Sequence, residues 1–220
     1  MIADAYEQDE AAAAAEWGAE FRRDVDGFVS ADAIDALVIP GRRELPPVSG
    51  LRYVAFIDPS GGSSDSMTLA VAHQEKRDGT SVVVLDCLRE RRPPFSPEDV
   101  TAEFCELLRT YRVTSIVGDR YGGEWCREPF RRRGIRYELA AKPKSELYRA
   151  VLPLLNSRQV ELLDDRRLRA QLAGLERRTG RGGRDTVDHA PGGHDDLANA
   201  FAGVIELAGQ RRNNILDHVW

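Results

Sequence analysis

The run Leu51-Arg52-Tyr53-Val54-Ala55-Phe56-Ile57-Asp58 constrains this chain most. It reads as a strand with an uncharged interior, Tyr53 to Ile57, that ends on an aspartate at the edge of the core. Pro59 to Ser64 is a Gly/Ser turn, Met67 to His73 a second strand and Thr80 to Leu88 a third. Strands joined by tight turns form an antiparallel meander. Pro93 to Pro97 ends it, and Ser96 is placed to cap a helix over Pro97 to Tyr111, with Glu98 and Asp99 favouring its first turn.

Strands and helices then alternate. Val113 to Gly118 is a short buried strand that stops at Asp119, and Gly122-Gly123 precedes a helix reaching Arg133. Ile135 to Leu139 is a strand, Ser145 opens a helix to Asn156, and Val160 to Leu162 is extended. Asp164 or Asp165 caps a helix to Leu175, and a final helix runs from Asp195 to Gln210. Three antiparallel strands feeding parallel α/β units give an α/β fold: a mixed central sheet flanked by helices on both faces.

Ahead of this lies a helical, acidic arm. Ala11 to Ala15 favours helix, and Trp17, Phe21, Val25 and Phe28 recur at three- and four-residue steps, one apolar stripe. Ser30 caps a short helix over Asp32 to Val38, and Pro40-Gly41 and Pro46-Pro47 mark residues 40–50 as a linker. The expected organisation is an arm and linker over 1–49, one domain over 50–210 and a tail over 211–220.

Composition removes several classes. Of 220 residues, 42% are hydrophobic and 30% charged, which is globular. No apolar run approaches the roughly 20 residues that span a bilayer. Met1 to Glu10 lacks a basic and apolar leader, so a cytosolic setting is the default. Cys87, Cys105 and Cys126 are far apart with no CxxC, which argues against a zinc knuckle or disulfide framework. The net charge of −5 does not itself suggest a nucleic-acid binder. Lysine occurs only at 76, 142 and 144, while arginines cluster at 89–92, 131–133, 166–169 and 177–184. Arginine forks match phosphate geometry, but an arginine-rich codon bias gives the same clusters.

Three segments place aspartates where an open α/β sheet binds ligands, at the carboxyl ends of its strands. Asp58 follows the first strand, Asp119 a later one, and Asp195 and Asp196 begin the last helix. Each has a local alternative: a turn former at Asp58, a helix cap at the others. Together, such carboxylates raise one another's pKa unless a cation intervenes. Oxygen-only ligands favour Mg²⁺ or Mn²⁺, and two such ions about 4 Å apart can activate a water and stabilise a leaving 3′-oxygen in phosphodiester cleavage. Asp65 and His194 are candidates to stand behind these ligands. Lys142, Lys144 and the Gly-rich stretch between Arg177, Arg178, Arg181 and Arg184 are candidate phosphate contacts, against ordinary solvated loops. His189 reads as a loop residue.

The segments FIDPSGGSSDSMTLAVAH, IVGDRYGGEW, KSELYRAVLPLLNSRQVELLD and GGRDTVDHAPGGHDDLANA together resemble the nuclease domain of phage terminase large subunits, over about residues 50–208. The stretch from Trp17 to Pro47 resembles the family's connection between ATPase motor and nuclease. The resemblance implies an RNase H-like (RuvC-like) fold and a two-metal endonuclease that cuts concatemeric double-stranded DNA. It implies Asp58, Asp119 and Asp196 as catalytic residues and metal ligands, with the adjacent Asp195 as a further metal ligand, and either Asp195 or Asp196 as the inner one. It implies the terminase small subunit and the portal protein as partners, and the cytoplasm of a bacterial host as location. The sequence departs from the family in having no Gly-Lys pair and hence no G-x-x-x-x-G-K-[ST]. Packaging would then need a separate ATPase. A resolvase or transposase of the same fold, and a non-catalytic docking module, are the competing readings.

Overall fold

A computed structural model describes residues 25–120, 126–179 and 185–210. Its centre is a six-stranded sheet. The strands are β2 (Tyr53–Asp58), β3 (Met67–Arg77), β4 (Thr80–Arg91), β5 (Ser115–Gly118), β6 (Arg136–Leu139) and β7 (Val160–Glu161), in the order β6-β5-β2-β3-β4-β7. β2, β3 and β4 pair antiparallel; β5 joins β2, β6 joins β5 and β7 joins β4 in parallel. Only β3 runs against the rest, so the expected mixed α/β sheet is present. The carboxyl ends of β2 and β5 therefore share one edge.

Period-two alternation divides β2 between two cores. Val54 and Phe56 face one helical layer, and Ala55 and Ile57 the other. The second layer is α2 (Pro97–Thr110) and α3 (Arg127–Arg132), which follow β4 and β5. Val100, Phe104, Cys105 and Leu108 form the buried stripe of α2, and the Ser96 hydroxyl caps it at Asp99 N. The first layer holds α4 (Lys144–Asn156), α5 (Arg166–Ala173) and α6 (Asp196–Gln210). Asp165 caps α5 at Leu168 N. Eleven residues of α6 are buried, so this helix is covered nearly all round, between the sheet and its neighbours. Its small residues Ala198, Ala200, Ala202 and Gly203 permit that close approach.

The arm departs from the helical reading. Val25–Gly27 is a strand, β1, that pairs antiparallel with β8 (Leu175–Thr179), which pairs in turn with β9 (Asp185–His189). This small sheet is ordered β1-β8-β9. The partner of β1 lies some 150 positions away, so local periodicity could not reveal it. Phe28 follows β1 into the first core and packs 6.2 Å from Tyr148. Trp17, Phe21 and the rest of residues 1–24 lie outside the described residues. Ser30 caps α1 (Ala31–Asp35), whose Ile34 is buried.

Residues 40–50 are extended and strapped onto the domain. Leu45 N donates to Asp86 O (2.8 Å), Tyr111 Oη to Leu45 O (2.6 Å), and Val48 N to Tyr53 Oη (2.8 Å). Asp86 is the extra residue where the β3–β4 register slips, and its carboxylate meets His73 Nδ1 at 2.7 Å. All three cysteines are buried, and burial pushes the Cys87 thiol up to about 12. Among the described residues, no helix is long and apolar enough to cross a membrane.

Candidate active site

The sheet edge builds the site. Asp58 is the last residue of β2, and Asp119 directly follows β5. Asp119 N donates to Ile57 O (3.1 Å), carrying the parallel ladder one step past β5 and setting the two aspartates side by side. The start of α6 is pinned to the same edge. Thr68 Oγ1, on β3, donates to Asp196 O (2.8 Å). Gln171 Oε1, from α5, accepts from Leu197 N (2.8 Å) and Ala198 N (3.1 Å). A side chain from another helix thus satisfies two of the amides that a helix start leaves open.

The result is a cleft of about 380 Å³ lined by Asp58, Asp65, Asp119, Lys144, His189, His194, Asp195, Asp196 and Asn199, with Pro59, Ser66 and Gly193. Every aspartate singled out in the sequence is there, and so are His194 and Lys144. His189 is there too, from the end of β9 rather than from a loop. Its Nδ1 lies 2.8 Å from Ala190 O.

The acids differ in their surroundings. Burial raises the Asp58 carboxyl well above the usual range; a hydrogen bond from Asn199 lowers it, and the charges of Asp119, Asp196 and Asp195 raise it further. Burial also raises Asp196, the Ser66 backbone lowers it, and Asp65 and Asp195 push it up. Asp195 is only 6% exposed, and its carboxylate is already engaged. Oδ2 accepts from Tyr148 Oη (2.8 Å) and lies 2.9 Å from Lys144 Nζ. Lys144 Nζ also donates to Asp188 Oδ1 (2.8 Å). Burial would lower the Lys144 ammonium, but Asp188 and Asp195 together raise it above its ordinary value.

This separates two groups of donors. Asp188, His189 and Asp195 offer three ligand atoms within 4.8 Å of one another, but the Lys144 ammonium already brings positive charge to two of them. Asp58, Asp119 and Asp196 are an all-oxygen set in which burial and like charge raise the Asp58 carboxyl well above its usual range. Such a donor set fits a hard divalent cation, which removes the repulsion that the carboxylates otherwise carry.

Among the described residues, Lys142, Arg177 and Arg178 do not line the cleft. Lys142 pairs with Glu206, ten residues beyond Asp196, or about 15 Å along the helix. Lys142 thus stands in a partly buried ion pair with a glutamate that is itself 8% exposed, away from the acids. Arg177 pairs with Asp185 and Arg178 with Glu176, within the β8–β9 hairpin and its neighbourhood. Arg181 and Arg184 lie outside the described residues. Sequence reasoning missed Asn199, Tyr148 and Gln171. Only Asn199 left a signal, as a polar residue one turn beyond Asp195 and Asp196 and just ahead of the apolar run Ala200–Ile205.

No protein-family model matches the sequence, and no curated protein matches it. Solved structures do share the fold. The large terminase nuclease of thermophilic phage G20c with bound magnesium is 19% identical, with a TM-score of 0.64 over 80% of this chain and 95% of that one. The large terminase nuclease domain of Thermus phage P74-26 is 19% identical, with a TM-score of 0.62 over 80% of this chain and 94% of that one. The HK97 bacteriophage large terminase is 17% identical, with a TM-score of 0.64; the match covers 84% of this chain and 44% of that one. The fold is that of large terminase nuclease domains.

Proposed function

We propose that this chain is a divalent-cation-dependent DNA endonuclease, the nuclease of a phage packaging terminase. The observation that carries this reading is the convergence of Asp58, Asp119 and Asp196 on one cleft, in a fold shared with large terminase nucleases. These three would hold the cations, of the Mg²⁺ or Mn²⁺ class. When bound, the cations supply a water acidic enough to react near neutral pH and neutralise charge on the phosphate.

The reaction adds water across a phosphodiester P–O3′ bond and releases the 3′-oxygen as a hydroxyl. The chain's own part is to orient ligands and manage charge. Asp195 is a positioning residue, held by Tyr148 and Lys144, rather than an inner ligand. Asp65 and His194 flank Asp196 and tune its charge from opposite directions. Arg177 and Arg178, in surface ion pairs that cost little to exchange, would contact the DNA backbone beyond the cleft. In packaging, the substrate would be concatemeric double-stranded DNA in the bacterial cytoplasm. The partners would be the small subunit, the portal and an ATPase motor.

The test is nicking of supercoiled plasmid by the purified chain with Mn²⁺, Mg²⁺ or EDTA, beside Asp58→Asn and Asp119→Asn. Cutting with either ion, absent in EDTA and reduced roughly 100-fold or more in both variants, is expected. A folded wild-type protein that binds DNA but cuts with neither ion would leave a docking module instead.

A further inference from the structure

We propose that Asn199 is the positioning residue that clamps Asp58 and Asp119 together and sets both against Asp196; the inference rests on the cation-dependent reading above. Asn199 is 1% exposed and stands one turn into α6, three residues beyond Asp196. Its Nδ2 donates to Asp119 Oδ2 at 2.9 Å, and its side chain also hydrogen-bonds the Asp58 carboxylate. One amide group has two N–H donors, enough to serve both acids.

The orientation is forced. Turned over, the amide would aim its oxygen at two carboxylates and lose both bonds. As placed, Oδ1 is buried with no hydrogen-bond partner among the described residues. A leucine of similar size would avoid that cost, since an unsatisfied buried polar atom costs about 1–3 kcal/mol. The amide is therefore a poor choice for packing and a good one for holding two like charges side by side. Its backbone is equally fixed: Asn199 N donates to Asp195 O at 2.7 Å, in the turn that Gln171 and Thr68 pin to the sheet. Through Asn199, one rigid helix start sets the relative position of carboxylates from β2, β5 and α6.

The test is calorimetric titration of Mn²⁺ into the full chain, without DNA, for wild type, Asn199→Leu, Asp119→Asn and the double variant. Asn199→Leu is expected to weaken Mn²⁺ binding about tenfold or more, the scale found for groups that orient metal ligands. In the Asp119→Asn background, Asn199→Leu is expected to cost clearly less Mn²⁺ affinity than it does in wild type, because the clamp acts in part through that carboxylate. The rise in Tm on adding Mn²⁺ should shrink in step, whatever the basal Tm. Should the leucine variant not fold, Asn199→Ser carries the same expectation. Wild-type affinity in Asn199→Leu, or additive losses, would overturn the clamp alone. No Mn²⁺ binding by the wild type would overturn the cation reading and the clamp with it.

Discussion

Gly203 lies against the ring of Phe56 so closely that a β-carbon there would sit 2.3 Å from the ring. Here α6 packs directly on β2, two turns beyond Asp196 and two residues before Asp58. Both partners are buried, and the ring has no room to swing aside. Gly203→Ala should therefore destabilise by about 1–3 kcal/mol, although alanine favours helix by about 1 kcal/mol. Phe56→Leu in the same chain should recover part of the loss. Urea denaturation of the single and double variants measures both.

Asp58 should make the cation-free protein less stable as pH rises. Burial and neighbouring acids raise its folded pKa above the unfolded value of about 3.9, so the native state holds a proton that the unfolded state has released. Stability then falls as pH climbs from about 4 through the raised value. In EDTA at neutral pH, Asp58→Asn should have a higher Tm than wild type while losing nuclease activity. A lower Tm would show that the carboxylate is compensated without a cation.

The opposite sign is expected at Glu161. A hydrogen bond from Arg77 lowers its carboxyl, burial opposes this, and Arg42 lowers it further. A depressed folded pKa contributes stability above the unfolded value of about 4.3, and that stability is lost as pH falls through the folded value. Because the pair is partly exposed, about 1 kcal/mol is at stake. Between neutral pH and pH 3, Glu161→Gln should lose less stability than wild type in denaturant titrations.

Tyr148 and Lys144 should rank by charge. Tyr148→Phe removes one neutral donor from buried Asp195 and should cost about 1–3 kcal/mol. Lys144→Met strips the ammonium from Asp195 and Asp188 together and should cost more, about 3–5 kcal/mol where a buried charge is left alone. Thermal unfolding of the two variants side by side tests the order.

Much of this was legible in the sequence because it is local. An uncharged strand ending on Asp58, the caps at Ser96 and Asp165, and the acidic start of α6 are written in neighbouring residues. Strand-end geometry then carries Asp58 and Asp119 to a common edge. What could not be read depends on partners distant in sequence. Val25–Gly27 is a strand only because β8 supplies its hydrogen bonds. Tyr148 reads as one more apolar residue on α4 until its hydroxyl is seen at Asp195. Lys142 and Lys144 differ by two positions, yet one neutralises Glu206 and the other faces the acids.

The small sheet decides where the chain can be pulled. Its outer strand is Val25–Gly27, and two strands in from it stands Asp188, bonded to Lys144. A pull on β1 is resisted by the β1–β8 backbone bonds and by Phe28 against Tyr148. A load on this sheet would therefore reach the acidic cleft through His189, at the end of β9, and through the Asp188–Lys144 bond.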